Sequence, residues 1–389
     1  MGCLELLLAL CNGLCAKGAD SVRIPHSEIG ELVLQAKSEG IFAFSEYPGK
    51  SSGLWLFIGV LHLLPGTAPG KDPDLLCRLT LNLRQCIKGD NMKIYFPSYY
   101  KQFKCIADKC RHSCCVSWEI DVDDATMEKY KLIEGDMGDD IRAHVCDGVI
   151  SLCDDERCPF LDCRGLCKII SSLGDGYISD ICREHPRFYH SVSGRVEGGL
   201  GAVCEEACRI ILSSDGYADF IELEQTANPP EETDLDTLSD RAEIYKILLD
   251  KNGTFAEKTD RIRQKYDLPD LFNDADRWNE ALLSLEYLDS SRIGRLAIGK
   301  CCYSREFDSY LTRFLAYLIF RHVSVADSKD NLRARVGFCI LLSAIFENMI
   351  ADGDMSFEEI AESARILSEE IEYSEDNTAS LIFDIECEI

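Results

Sequence analysis

The chain has 389 residues, of which 46% are hydrophobic and 28% charged, the fractions of a folded protein with a sizeable core. Its net charge is −27, which argues against nucleic acid and anionic membranes as partners because both are negatively charged. Residues 1–91 carry eight Lys or Arg and nine Asp or Glu, whereas residues 92–389 carry 33 and 59. The acidic part suits a cationic partner or simply a solvated surface.

Residues 1–91 differ from the rest of the chain, with Gly and Pro clusters and weak helical patterns. They lead into the string Lys88-Gly89-Asp90-Asn91-Met92, which can be back-translated as AAAGGAGATAATATG. This is a purine-rich bacterial ribosome-binding site followed by a start codon. We therefore predict that Met92 is the true initiator and that residues 1–91 are a non-native N-terminal extension. The alternative is coincidence, because five residues leave much codon freedom.

The sequence has no pattern typical of an export signal or a membrane span. Met1–Lys17 lacks the basic start of a signal peptide, and the apolar run Leu54–Leu64 is about half the length of a membrane span. We therefore expect a cytoplasmic protein without a membrane partner. Cysteines stay reduced in that compartment, so metal or cluster ligation is favoured over disulfides.

The cysteines are concentrated between Cys105 and Cys208, a stretch that holds twelve of the chain's 21. They contain no C-x2-C pair, the spacing with which zinc sites commonly turn two thiolates to one ion. Dispersed thiolates suit a cubane iron–sulfur cluster, in which each iron takes one thiolate. The spacing thus favours iron–sulfur ligation, with zinc as the alternative.

Short helices and few strands are predicted around these cysteines. An extended piece covers residues 118–122, and Asp123 or Asp124 caps a helix through Tyr130. Gly135–Gly138 is predicted to be a turn. Further short helices are expected at residues 166–173, 178–184 and 205–213.

The second half of the sequence is predicted to be helical. Residues 215–232 are predicted to be a linker, and residues 233–389 a helical domain. Apolar residues three and four apart predict its helices at residues 238–249, 255–266, 277–288, 307–323 and 332–350. Ser356 and Glu359 form a capping box for a further helix. The fold class is therefore mainly α: a cysteine-rich module of short helices and few strands at residues 92–214, followed by a C-terminal helical bundle.

Three groups of residues carry a family resemblance. The first runs Tyr99-Tyr100-Lys101-Gln102-Phe103-Lys104-Cys105 and continues as Cys110-x3-Cys114-Cys115-x2-Trp118. The second is Cys158-Pro159-Phe160-Leu161, Leu166-Cys167-x-Ile169 and Cys182-x3-Pro186-Arg187, and the third is Cys204-x2-Ala207-x-Arg209. In this order and spacing they resemble the flagellin lysine-N-methylase (FliB) family. The sequence departs from that family at Ser117 and Glu205, where a glycine and a proline are expected.

The resemblance implies a protein lysine N-methyltransferase that uses S-adenosylmethionine, methylates flagellin and carries an iron–sulfur cluster of the 4Fe–4S type. The predicted cluster ligands are Cys115, Cys158, Cys167 and Cys182, with Cys110, Cys114 and Cys204 as alternates. The alternative function is that of a non-enzymatic iron–sulfur or zinc protein that acts as a redox sensor.

Methyl transfer to lysine requires a neutral amine next to a cationic sulfonium group, which hydroxyls and aromatic faces would hold. The candidate residues near the cysteines are Tyr99, Tyr100, Trp118 and Tyr130. For each of them the alternative role is packing in the core. Gly198–Gly201 is the nearest approach to a glycine-rich cofactor loop, but it lacks the spacing of a dinucleotide site. The sequence therefore locates no S-adenosylmethionine pocket.

Overall fold

A computed structural model of the protein describes residues 91–118, 120–226, 235–270, 275–299, 305–351 and 354–389. The predicted N-terminal extension lies outside these residues except for Asn91. The strands in the described ranges are β1 (Asn91–Pro97), β2 (Ile120–Asp121), β3 (Val145–Cys146), β4 (Val149–Ile150), β5 (Arg187–Val192), β6 (Arg195–Leu200) and β7 (Phe220–Thr226).

Helices make up most of the same ranges, which confirms the predicted mainly α fold class. In the cysteine-rich part they are α1 (Asp124–Lys131), α2 (Gly135–His144), α3 (Lys168–Leu173), α4 (Asp180–Glu184) and α5 (Glu205–Ser213). In the bundle they are α6 (Thr237–Leu248), α7 (Phe255–Lys265), α8 (Ala275–Leu283), α9 (Asp308–His322), α10 (Lys329–Met349), α11 (Phe357–Leu367) and α12 (Glu375–Glu386). A short π-helix, Ser368–Glu372, follows α11.

The strands form two sheets. The larger has the order β5-β6-β1-β7, with β1 parallel to β6 and the other pairs antiparallel. The smaller has the order β2-β4-β3. The larger sheet is not anticipated by the sequence patterns, because β1 pairs with a strand about 100 residues away and that strand is rich in glycine. Strand β7 lies inside the segment 215–232 that is predicted to be a linker.

The glycines of Gly198–Gly201 allow aromatic rings to pack closely on and just beyond β6. A Cβ atom at Gly198 would lie 2.4 Å from the ring of Phe96, and one at Gly199 would lie 2.5 Å from that of Phe188. At Gly201 it would lie 1.7 Å from the hydroxyl of Tyr373. Only a residue without a side chain fits between such neighbours. This glycine run therefore serves packing, and its resemblance to a cofactor loop is superficial.

The predicted turn at Gly135–Gly138 is wrong, because α2 begins there. Gly135 has a φ of +73°, which reverses the chain after α1. A Cβ atom at Gly138 would lie 2.1 Å from the carbonyl oxygen of Ile133. The two glycines allow a tight connection between α1 and α2, so only Gly135 itself acts as a turn residue.

The main hydrophobic core joins the large sheet and α5 to the bundle. Tyr99, Leu200 and Ala207 belong to the same buried cluster as the central residues of α9 and α10. The apolar residues of these two helices are almost fully buried, as expected for helices that are apolar on most sides.

A buried ion pair also connects the sheet with the bundle. Arg241 on α6 donates from both guanidinium Nη atoms to the carboxylate of Glu197 on β6, at 2.5 and 2.7 Å. Ser324 Oγ accepts a further hydrogen bond from Arg241, and His190 Nε2 lies 3.3 Å from Glu197 Oε2. Two charges removed from water stabilise a fold only when both are paired in this way.

Candidate functional site

Backbone hydrogen bonds bring the first two predicted ligands together. The amide of Cys158 donates to the carbonyl oxygen of Cys115 at 2.8 Å, and the amide of Ser117 donates to Glu156 at the same distance. Ser117 adopts a φ of +66° in this pairing. That backbone conformation favours glycine, which explains why a glycine is expected at this position from the family resemblance.

Ser117→Gly is therefore expected to stabilise the protein by about 0.5–1 kcal/mol, because glycine adopts this φ without strain. The lost hydrogen bond between Ser117 Oγ and Glu156 is exposed and contributes little. The matched control Ser171→Gly lies on the exposed side of α3 and is expected to cost about 1 kcal/mol. Urea denaturation measures both changes, and a destabilised Ser117→Gly protein would contradict the explanation.

A tight turn brings in the third ligand. The carboxylate of Asp162 accepts hydrogen bonds from the amides of Arg164 and Leu166, at 2.8 and 2.9 Å. The amide of Lys168 donates to Phe160 at 2.7 Å. Cys167, which precedes α3, thus returns to the segment that begins at Cys158.

One carboxylate positions the fourth ligand. Asp123 caps α1 by accepting from the amide of Thr126, and its second oxygen accepts from the amide of Asp180, both at 2.9 Å. This confirms the predicted cap at Asp123. Because Asp180 is the first residue of α4, the same side chain holds α4, and with it Cys182, against the start of α1.

The predicted ligands therefore lie in one small core. We call Cys115, Cys158, Cys167 and Cys182 the inner cysteines; they pack with Ile120, Tyr130 and Phe160. Burial raises the pKa of Cys158 to about 12 and those of Cys167 and Cys182 above the ordinary value, and neighbouring thiols contribute. In Cys115 a hydrogen bond from Cys114 lowers the pKa, to about 7. Cys115 is thus the thiol that ionises most readily.

One buried hydroxyl group beside the inner cysteines, that of Tyr130, has no hydrogen-bond partner among the described residues. Burial raises the pKa of Tyr130, and the nearby thiols of Cys182, Cys167 and Cys158 raise it further. Ser179 lies close to the Cys182 thiol. Unsatisfied buried donors are rare in folded proteins and indicate a missing acceptor.

Nowhere in the described ranges do three His, Cys, Asp or Glu side chains converge closely enough to hold a single metal ion. The inner cysteines are near enough to act electrostatically on one another. In a cubane cluster each iron takes its own thiolate, so the ligands stand further apart than those of one zinc ion.

The alternate ligands do not belong to this small core, but the Cys114 thiol contacts that of Cys115 at its edge. Cys110, Cys114 and Cys204, together with Cys105, are called the outer cysteines. Cys204 directly precedes α5, and its side chain forms no cap hydrogen bond. Cys110 Sγ lies 3.7 Å from Oε2 of the next residue, Glu205. Glu205 occupies the first position of α5, where proline is favoured. Its carboxylate instead accepts hydrogen bonds from the amide and Nε of Arg111, at 2.8 and 3.1 Å.

The four aromatic candidates are not brought to one place. Tyr99 is buried in the main core, which raises its pKa well above the usual range. The hydroxyl of Tyr100 accepts a hydrogen bond from Arg187 Nε at 3.0 Å. Tyr130 lies among the inner cysteines. Trp118 is half-buried and contacts the bundle instead.

The sequence does not indicate which residues contact the Trp118 ring. Its ring contacts that of Tyr373, with centroids 6.3 Å apart, immediately after the π-helix. Arg321 lies over the Tyr373 ring at 4.3 Å and donates to its hydroxyl at 3.1 Å. Glu372 pairs with Arg321 at 3.0 Å, and the pKa of Glu372 stays low, at about 2, because Arg321 and His322 outweigh its burial. Trp118 therefore faces a charged, buried network.

No helix in the described part of the chain is both long and apolar enough to cross a membrane.

Comparison with known proteins gives three relatives. The chain is 30% identical over 130 residues to the lysine-N-methylases of Salmonella choleraesuis and Salmonella typhimurium. It is 29% identical over 130 residues to the flagellar biosynthetic protein FliU of Salmonella muenchen. Each match covers 30% of this chain, and it spans 32% of the length of the lysine-N-methylases and 75% of FliU.

No family model and no solved structure matches the chain. The resemblance to the flagellin lysine-N-methylase family that the motifs predict is confirmed over 130 residues of this chain.

Proposed function

We propose that the protein is an S-adenosylmethionine-dependent lysine N-methyltransferase that acts on flagellin and holds a 4Fe–4S cluster on the inner cysteines. The relatives that carry the name lysine-N-methylase support the activity, and the flagellar name of FliU supports the substrate. The observation that carries the proposal is the gathering of the four predicted ligands around Tyr130.

The surroundings of the inner cysteines fit an iron–sulfur cluster. Four thiols from separate segments meet in a mostly apolar core, where ionising several of them requires a compensating cation. The hydroxyl of Tyr130 lacks an acceptor among the described residues, and a sulfur atom of a cluster would supply one. When bound, the cluster would cross-link these segments and provide a redox centre.

The chemistry of methyl transfer sets what the chain must supply. The lysine nitrogen attacks the methyl carbon, the carbon–sulfur bond breaks, and the proton of the resulting ammonium passes to solvent. Trp118 is the best-placed aromatic to hold a sulfonium cation, because it is half-buried and is fixed by Tyr373. The acidic charge of the chain attracts a lysine-bearing substrate and speeds its encounter.

The activity is tested by incubating the full chain, purified without oxygen, with methyl-labelled S-adenosylmethionine and flagellin. We expect label on flagellin lysines, and a slower reaction at high salt because the attraction is screened. Flagellin whose lysines have been acetylated is the control and should take up no label. A protein that holds a cluster but neither binds S-adenosylmethionine nor labels flagellin would contradict the proposal and favour the redox sensor.

A further inference from the structure

Several large apolar side chains are exposed in residues 120–184, the part of the chain that forms the small core around the inner cysteines. They are Leu132, Ile170, Tyr177 and Ile181, and we call them the apolar face. Leu132 is 83% and Ile181 52% exposed. Single exposed apolar residues are common on folded proteins, whereas several in one place mark a contact site.

Each member of the apolar face is next in sequence to a residue that packs in the small core. The core neighbours are, in the same order, Ile133, Ile169, Ile178 and Cys182. Since adjacent side chains of a helix or an extended segment point in different directions, one residue of each pair turns inward and the other turns outward. The apolar face is thus the outer side of segments whose inner side packs with the inner cysteines.

A hydrogen bond brings α1 and Tyr177 together. Lys129 Nζ, in the last turn of α1, donates to the carbonyl oxygen of Gly176 at 2.7 Å. Gly176 is the middle residue of the short 3-10 helix Asp175–Tyr177. Leu132 directly follows α1 and lies about one helical turn beyond Lys129. Leu132 and Tyr177 therefore lie on neighbouring segments.

Helices α3 and α4 lie on either side of the same 3-10 helix in sequence. One residue separates α3 from it, and α4 begins three residues after it. The amide of Asp180 donates to the Asp123 carboxylate at 2.9 Å, which also holds α4 against α1. Because these connections are short, Ile170 and Ile181 remain near Tyr177. Three helices therefore contribute to one apolar face.

The apolar face lies in an acidic part of the chain. Residues 120–184 contain 16 Asp or Glu and seven Lys or Arg. The carboxylates of Asp124, Glu134 and Asp175, on or next to the same segments, are exposed and have no ion-pair partner in the described part of the chain. Apolar side chains bordered by such carboxylates suit a protein segment that carries both apolar residues and lysines.

We propose that the protein substrate docks on the apolar face, and that the docked segment is a lysine-bearing stretch of flagellin with apolar residues beside the lysines. This inference rests on the proposed function and adds the place at which the substrate is held. Apolar contact would provide most of the affinity, and the carboxylates would orient the segment and speed its encounter. A docked substrate would lie against the outer side of the small core.

The test compares binding to immobilised flagellin with its methylation. Leu132→Ser/Ile181→Ser should weaken binding and raise KM by at least about 10-fold, because a few buried apolar anchors dominate the affinity of an interface. The kcat at saturating flagellin, the iron content and the circular dichroism should stay unchanged. Leu132→Ser alone, which adjoins no cysteine, should show a smaller effect of the same kind. The matched control Leu249→Ser/Leu283→Ser alters bundle residues that are 50% and 65% exposed and should change neither binding nor KM.

The carboxylates are tested by the rate of association. Asp124→Asn/Asp175→Asn should slow association with flagellin at low salt, and the difference should vanish at high salt because the attraction is screened. The control Asp270→Asn/Asp354→Asn removes the same charge from other exposed positions and should have a smaller effect. An equal effect of both pairs would contradict a local role of the carboxylates.

Four further results would overturn the proposal. If the unaltered protein methylates flagellin and the Leu132→Ser/Ile181→Ser protein binds flagellin equally well, the substrate docks elsewhere while the proposed function stands. If that variant keeps flagellin binding but changes from dimer to monomer in sedimentation, the apolar face joins two copies of this chain. A variant that loses binding only together with its iron would also contradict docking on this face. If the unaltered protein neither binds nor methylates flagellin, the proposed function itself fails, and the docking surface fails with it.

Discussion

Replacing Cys158 with serine is expected to abolish the cluster on the inner cysteines and to lower methyl transfer by at least about 100-fold. Changes next to a metal ligand already cost about 10–100-fold, and Cys158 is the most buried of the four inner thiols. The remaining three thiols would hold the cluster too weakly to retain it. The visible absorbance of the anaerobic protein and the labelling of flagellin measure the two effects.

Cys163→Ser is the matched control for this change. Cys163 lies five residues further on in the same segment, is exposed and belongs to neither cysteine set. The Cys163→Ser protein should keep the visible absorbance and the methyl-transfer activity of the unaltered protein. A Cys158→Ser protein with full absorbance would remove Cys158 from the ligands and would require a different set of thiols.

Arg241→Leu is expected to destabilise the protein by about 3–5 kcal/mol, because it removes the bidentate partner of the buried carboxylate of Glu197. The carboxylate then keeps only the partly exposed Arg195 and the imidazole of His190 among its charged neighbours in the described residues. The double variant Arg241→Leu/Glu197→Leu removes both charges and should be less destabilised than the single change. Arg261→Leu breaks an exposed pair with Asp250 and should cost at most about 1 kcal/mol. Guanidinium denaturation measures all three.

The effect of Arg241→Leu should also depend on pH. Burial alone would raise the pKa of Glu197, but hydrogen bonds from Arg241 and His190 hold it well below its usual range. The stabilisation is therefore fully present above the unfolded pKa of about 4.3 and is lost as the pH falls through the lower folded value. The difference in stability between the two proteins should consequently shrink below about pH 4. A difference that stayed constant down to pH 2 would contradict the role given to Glu197.

Local signals in the sequence predict most of the helices. Asp123 and the capping box at Ser356 begin helices where expected, and α5 has the predicted bounds. These features depend on neighbouring residues, which a sequence displays directly. The turn predicted at Gly135–Gly138 fails because the same glycines instead permit close packing between two helices.

The large sheet could not be predicted in the same way. Strand β6 contains Gly198 and Gly199, which disfavour strands when considered alone. They become necessary only because Phe96 and Phe188 pack against them. The partner strand β1 is about 100 residues distant, so no local pattern indicates the pairing. Long-range packing thus determines this part of the fold.

The candidate site, too, was predictable from the sequence only in part. Cysteine spacing and family motifs predicted the inner cysteines, and backbone contacts and one shared carboxylate bring them into a single core. The contact between Trp118 and Tyr373 joins residues more than 250 positions apart. Neither residue has a neighbour in the sequence that indicates the other. The separation of inner and outer cysteines likewise follows from packing and not from spacing.

The most direct test of the central claim is the mass of flagellin after incubation with the cluster-loaded protein and S-adenosylmethionine. The account predicts mass increments of one methyl group, confined to peptides that contain lysine, and none with the Cys158→Ser protein. Flagellin of unchanged mass, with a protein that carries its full iron content, would contradict the account.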